Sequence, residues 1–134
     1  MKACVIYFSQ TGNTKRFAET IAETLKTAEL FDITNTDPSA VKDCDVLVVG
    51  TPTYGFRPSE EALAFVEGLP EGTGKRTVLF CTHRLWKGST FKKLEKVLKN
   101  KNYKNVLCVS VKKKEFTKED FKEPAAKIAK KLQE

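Results

Sequence analysis

A chain of 134 residues with 40% hydrophobic and 31% charged side chains has interior enough for one full core, and is expected to form a single domain over residues 1–134. No apolar run approaches membrane-spanning length and the N-terminus lacks a long apolar region. Both features argue against a membrane span or secretory leader and make the cytoplasm the expected location. The net charge of +7 is uneven: residues 1–83 carry 8 basic and 11 acidic side chains, a net of −3, whereas residues 84–134 carry 16 and 6, a net of +10. That asymmetry reads either as a basic surface for an acidic partner, nucleic acid being one candidate, or as a lysine-rich solvated face.

Residues 2–8 are a compact apolar run, typical of a strand buried on both faces. From Thr14, the apolar positions Phe17, Ala18, Ile21, Ala22, Leu25 and Ala28 line one helical face. A short second strand is expected over 30–34. Asp37-Pro38-Ser39 then opens a brief helical turn to about Asp43, short for a parallel crossover.

Val46 to Gly50 is a third, wholly apolar strand, followed by the loop Thr51–Pro58 with two prolines to stiffen it. Ser59 caps the next helix, with Glu60 and Glu61 in its first turn and Gly68 and Pro70 at its end. Thr77 to Thr82 is the fourth strand and 82–88 its loop. A helix from about Thr90 buries Phe91, Leu94, Val97 and Leu98, while six lysines cover Lys92 to Lys104. Residues 105–111 are the fifth strand. Thr117 with Asp120 forms a capping-box pattern for the last helix, and Pro124 implies either a kink or a helix whose body starts there.

Cys4, Cys44, Cys81 and Cys108 are far apart and include no C-x-x-C pair. Three of them sit in apolar runs, so buried free thiols in a reducing compartment are expected. One histidine and no finger-like spacing argue against zinc.

Five strands alternating with helices give a doubly wound parallel sheet, whose ligand lies beyond the carboxyl ends of the strands. Three loops therefore matter. Ser9-Gln10-Thr11-Gly12-Asn13-Thr14 offers hydroxyls and backbone N–H groups at the start of a helix, where orphan donors and the helix dipole favour an anion. The same residues also suit an ordinary capped turn. The loops 51–58 and 82–88 offer Pro52, Tyr54, Phe56 and Trp86, flat or rigid groups suited to an aromatic ring. A phosphate at one end and a flat ring at the other describe a mononucleotide.

Tyr7–Thr14 resembles the flavodoxin phosphate loop, and Gly50-Thr51-Pro52-Thr53-Tyr54-Gly55 resembles the family's first ring-binding loop. The similarity spans essentially the whole chain in element order and length, and the uninterrupted fifth strand resembles the short-chain branch. It implies a flavodoxin-like, three-layer α/β/α fold with a doubly wound five-stranded parallel sheet of strand order 2-1-3-4-5. It also implies FMN as cofactor. Ser9, Thr11, Asn13 and Thr14, with the backbone of Gln10 to Thr14 including Gly12, would hold its phosphate, and Lys15 and Arg16 would be exposed. Thr51, Pro52, Thr53, Tyr54, Gly55 and Phe56 would form the first ring loop, with Tyr54 stacked on the isoalloxazine. Gly55 matches the family glycine whose peptide turns over on one-electron reduction to stabilise the neutral semiquinone, or else serves only a tight turn.

Thr82, His83, Arg84, Leu85 and Trp86 form the third loop, and here the chain departs from the family's aromatic–glycine–aromatic pattern. Either Leu85 or Trp86 takes the stacking position. His83 either contacts the flavin edge, titrating near neutral pH, or is an exposed loop residue. Many flavodoxins are acidic and carry carboxylates near the ring. Here Arg57, Arg84 and Lys87 flank the ring loops, with no Asp or Glu in 51–58 or 82–88. One cation about 7 Å away at a dielectric of about 20 favours the reduced anion by roughly 2 kcal/mol. That is on the order of 100 mV before screening.

The resemblance thus implies a low-potential electron carrier, monomeric, serving redox proteins that dock through an acidic face. The alternatives are a small FMN-dependent quinone or NAD(P)H-linked reductase, or a non-redox basic binding module on the same fold. One histidine and no paired nucleophile leave no covalent catalytic triad. Nucleic-acid binding is disfavoured because aromatics scarcely interleave the lysines.

Overall fold

The structure is a computed structural model describing residues 2–84, 86–112 and 116–134. Its elements are β1 (Ala3–Tyr7), α1 (Asn13–Leu25), β2 (Glu29–Asp32), β3 (Val46–Tyr54), β4 (Arg57–Pro58), α2 (Glu60–Glu67), β5 (Arg76–His83), α3 (Thr90–Asn100), β6 (Lys104–Lys112) and α4 (Lys122–Leu132). Three short 3-10 turns, Ile33–Asn35, Pro38–Val41 and Lys118–Phe121, complete it.

Five parallel strands run in the order β2-β1-β3-β5-β6, which is the expected 2-1-3-4-5 arrangement once β4 is set apart. β4 is an unexpected addition. The third strand runs on through Tyr54 instead of ending at Gly50, then folds back, pairing Thr53 with Pro58 and Tyr54 with Arg57. The loop reading rested on the two prolines, but each takes a place that costs no ladder bond: Pro52 beyond the fully apolar run, Pro58 at the end of a two-residue edge strand.

Strand alternation sends side chains to two separate cores. Cys4, Ile6, Leu47, Val49, Leu79 and Cys81 meet Ala62, Phe65, Leu94 and Leu98 of α2 and α3. Val5, Tyr7, Val48, Val78 and Phe80 meet Phe17 and Ile21 of α1, Phe121 of the last 3-10 turn and Ile128 of α4. Every residue of β1 is buried, which is why it reads as a continuous apolar run and not an alternating one. Phe17 stacks on Phe121 at 4.8 Å and tilts against Phe80 at 4.8 Å, tying α1 to the sheet and to the turn that leads into α4.

The crossover from β2 to β3 holds only 3-10 turns, opened by Asp37 accepting from Ser39 N–H at 2.9 Å. Ser59 caps α2 by accepting from Ala62 N–H at 3.1 Å. The capping box of Thr117 and Asp120 is present, but it opens a 3-10 turn; α4 begins at Lys122 and places Pro124 in its first turn, where its missing donor costs nothing.

The cysteine expectation is corrected in part. Cys81 is a buried free thiol and Cys108 a half-buried one, but Cys4 and Cys44 form a disulfide with Cα atoms 6.0 Å apart. Burial was legible from the apolar context; pairing was not, because it depends on β1 lying beside β3, which brings the segment just before β3, with Cys44, up to Cys4.

Candidate functional site

The three loops expected to carry chemistry converge at the carboxyl ends of β1, β3 and β5. In the first, Gly12 adopts φ 95° and its N–H donates to Ser9 Oγ at 3.1 Å. This left-handed residue turns the chain straight from strand into helix, a step a side chain makes costly. Arg16 N–H is the first α1 donor to bond within the helix, to Gly12 O at 3.0 Å. The N–H groups of Asn13, Thr14 and Lys15 therefore precede the helical ladder. α1 has no side-chain cap bond and no acidic residue in its first turn, whereas α2 has its serine cap and two glutamates. A 13-residue helix left open in this way presents orphan donors and a positive dipole end to an anion.

Asn13 and Arg16 bond to each other at 3.1 Å, Asn13 reaches Thr11 Oγ1 at 3.4 Å, and Lys15 and Arg16 are exposed as expected. Gln10 and Thr11 are exposed, and Ser9 is half-buried. Thr14 is buried, and its hydroxyl pairs with that of Thr82 at 3.0 Å, tying the first loop to the third.

The second loop is the β3–β4 hairpin. Gly55 and Phe56 have φ 56° and 64°, the two-residue turn with both central residues left-handed. For Phe56 that conformation costs about 1–2 kcal/mol. The third loop holds it in place: Phe56 O accepts from Ser89 N–H at 2.8 Å, and Thr53 Oγ1 meets Thr90 Oγ1 at 2.9 Å. Gly88, at φ 54°, lies so close that a Cβ there would sit 2.2 Å from Phe56 O. Thr51 is fully buried and supports the α2 cap, accepting from Ser59 N–H at 3.0 Å; Pro52 is half-buried.

Between the second and third loops lies a cavity of about 290 Å³ lined by Thr53, Gly55, Phe56, His83, Arg84 and Trp86. Trp86 is 65% exposed and Phe56 47%, their rings 5.6 Å apart and tilted by 51°. His83 ends β5 with Nδ1 buried. Leu85, the other stacking candidate, lies outside the described residues. Among the described residues no group of acidic, histidine or cysteine side chains could hold a metal.

Two features escaped the sequence reading. The Gly88-Ser89-Thr90 anchor was missed, although a glycine followed by two hydroxyl residues is a helix-start signal. A second cleft of about 350 Å³ lies on the far side of Tyr54, lined by Phe8, Gln10, Tyr54, Arg57, Glu60 and Glu61 among others. Partial burial, and then Glu61, push the Tyr54 phenol above its ordinary value. The sequence window 51–58 thus understated the negative charge near the ring loops. Glu60 and Glu61 line the same cleft as Arg57.

An open α/β sheet with an uncapped helix start and an aromatic-lined cavity at the same carboxyl end suits a mononucleotide. A family model described as the flavodoxin domain matches residues 4–133, and the chain belongs to the flavodoxin family. FMN is accordingly its cofactor, and the donor set and flat cavity described above fit phosphate and ring respectively.

Among solved structures, the chain is similar to a short-chain flavodoxin associated with a non-canonical PDU bacterial microcompartment (24% identity, 99% of this chain and 97% of that one, TM-score 0.84). It is similar also to a flavodoxin of Streptococcus pneumoniae TIGR4 (24%, 99% and 98%, TM-score 0.84) and to oxidised flavodoxin 1 of Bacillus cereus (20%, 99% and 97%, TM-score 0.83). No curated protein sequence matches the chain. Among the described residues no helix is long and apolar enough to cross a membrane.

Proposed function

We propose that this flavodoxin shuttles single electrons between redox proteins, acting as a monomeric single domain that docks on partners with an acidic face. The carrying observation is the uncapped start of α1 set at the same sheet end as the aromatic cavity. FMN supplies reversible one-electron chemistry when bound.

The chain's own residues bind and orient it. Ser9, Thr11 and Asn13, with the backbone N–H groups of Gln10 to Thr14, hold the phosphate, while the Thr14–Thr82 hydroxyl pair fixes the loop. Thr53, Tyr54, Gly55, Phe56 and Trp86 enclose the ring, and Arg84 and Lys87 supply local positive potential. Phe56 and Trp86, both exposed, form the edge through which electrons enter and leave.

Titrating apoprotein with FMN and following flavin fluorescence tests the site: quenching is expected, and unchanged fluorescence at excess apoprotein refutes it. Stepwise reduction of the loaded protein, then mixing with a redox protein, tests the carrier role. Rapid oxidation of NAD(P)H by the loaded protein alone would make it a reductase instead.

A further inference from the structure

Lys92, Lys96 and Lys99 of α3 recur at i, i+4 and i+7 and so share one helix face. With Glu95 of the same helix, and with Tyr103 and Asn105 at the start of edge strand β6, they line a groove of about 420 Å³. Four lysines elsewhere are paired with a carboxylate: Lys2 with Glu29 at 2.9 Å, Lys118 with Glu23 at 3.2 Å, Lys122 with Glu119 at 2.9 Å and Lys131 with Glu134 at 3.1 Å. Among the described residues Lys92, Lys96 and Lys99 have no such partner. The one carboxylate in the groove, on Glu95, accepts from Cys108 Sγ on β6 at 3.4 Å. Three ammonium groups against one carboxylate leave this concave surface net positive and charge matched to an anion.

The row starts one turn from the ring loops. Lys87 of the third loop lies over Phe91 of α3 at 5.9 Å, which adds a further cation between the ring loops and the row. We propose that this groove is a second anchor for the redox partner, receiving an extended Asp- and Glu-rich segment of it. The lysines are spaced along the helix by about 6 and 4.5 Å. Same-face side chains of an extended peptide repeat every 6–7 Å or so, close enough for flexible lysines to meet successive carboxylates. A single-stranded nucleic acid fits less well. The one aromatic in the groove, Tyr103, is buried and its hydroxyl donates to Pro70 O at 2.7 Å, so no ring face is offered to a base. The proposal rests on the electron-carrier reading for the identity of the partner, but not for binding of the segment itself.

The test uses FMN-loaded full chain and a fluorescein-labelled decapeptide of alternating Glu and Ser, with the Gln–Ser peptide and a labelled oligo-dT of equal length as comparators. The acidic peptide is expected to bind, weakening at least about tenfold between roughly 50 and 200 mM salt, with the Gln–Ser peptide silent. The triple variant Lys92→Glu, Lys96→Glu, Lys99→Glu should weaken it at least about tenfold, and the neutral Gln triple by less. A charge-matched control, Lys26→Glu, Lys127→Glu, Lys130→Glu, should change it less than about threefold. An unchanged flavin spectrum and circular dichroism certify that each variant folds. Equal loss in the control would reduce the effect to net charge and overturn the proposal, as would oligo-dT binding tighter than the peptide, or no peptide binding at low salt. Failure of the wild type to take up FMN would instead strike the electron-carrier reading, leaving the peptide result to be judged on its own.

Discussion

Phe56 is held in a backbone conformation it would not choose by the N–H of Ser89, and Gly88 lets the two loops come close enough for that bond. Gly88→Ala places a methyl against Phe56 O, at a residue whose own φ of 54° disfavours a side chain. Separation of the two ring loops is the expected result, with FMN affinity falling about tenfold and stability by about 1–3 kcal/mol. Fluorescence titration and urea denaturation read the two effects. Tyr54→Ala should raise the FMN dissociation constant by a similar factor without touching the anchor, since it removes only ring contact. Comparison of the two variants separates contact from positioning.

The free thiols make a second prediction at this scale. Burial pushes the Cys81 thiol up to about 12 and Cys108 to about 11. Both groups stay protonated in the folded chain well after an unfolded chain would release them, near pH 8.5. Above that pH the unfolded state binds fewer protons than the folded one, so stability falls as pH rises, until the folded values are passed. Denaturation midpoints should therefore drop between about pH 9 and 11, and the drop should shrink in Cys81→Ala. Thiol reagents at pH 8 should react slowly with the folded protein.

At the level of elements, the Cys4–Cys44 bridge joins β1 to the approach of β3 across a separation of 40 residues. In the chain-entropy account a loop of that length stabilises by about 4 kcal/mol. Cys44→Ser should lower the unfolding free energy extrapolated from urea denaturation by that order, and a reductant should do the same to the wild type but not to the variant. Strands and helices were legible here because each carries a local signal: the unbroken run of β1, the 3.6-residue spacing of α1, the Ser59 cap. What stayed hidden depends on register. The bridge needs β1 and β3 side by side, and the β3–β4 hairpin needs Pro58 to face Thr53. Glu61 bears on Tyr54 only once α2 docks beneath that hairpin. In the site, the glycine turn and uncapped helix start could be read from six consecutive residues, whereas the anchor of Phe56 on Ser89 spans two loops that no local window contains.

Over the whole molecule, charge is the unusual property for a resemblance drawn to acidic carriers. Glu60 and Glu61 line the cleft that holds Arg57, whereas Arg84 lines the aromatic cavity, where a cation would favour the reduced, negatively charged flavin. Arg84→Glu should make the flavin potential more negative by on the order of 50 mV at low salt, less as salt screens it. Potentiometry decides, and an unchanged value would show that Arg84 lies too far out in solvent to matter. The rate of electron exchange with an acidic redox protein should fall steeply with ionic strength, and a flat dependence would leave the basic face without a role in encounter.

The same bridge has one more outcome, for a chain that is cut. Residues 5–43 lie inside the covalent ring it closes, and with them the phosphate loop, α1 and β2. A protease that nicks the exposed stretch around Thr34 and Asn35 severs the backbone without releasing a fragment, because both pieces remain linked and packed on one sheet. On gels such material should run as one band without reductant and as two with it, and the nicked protein should still be yellow.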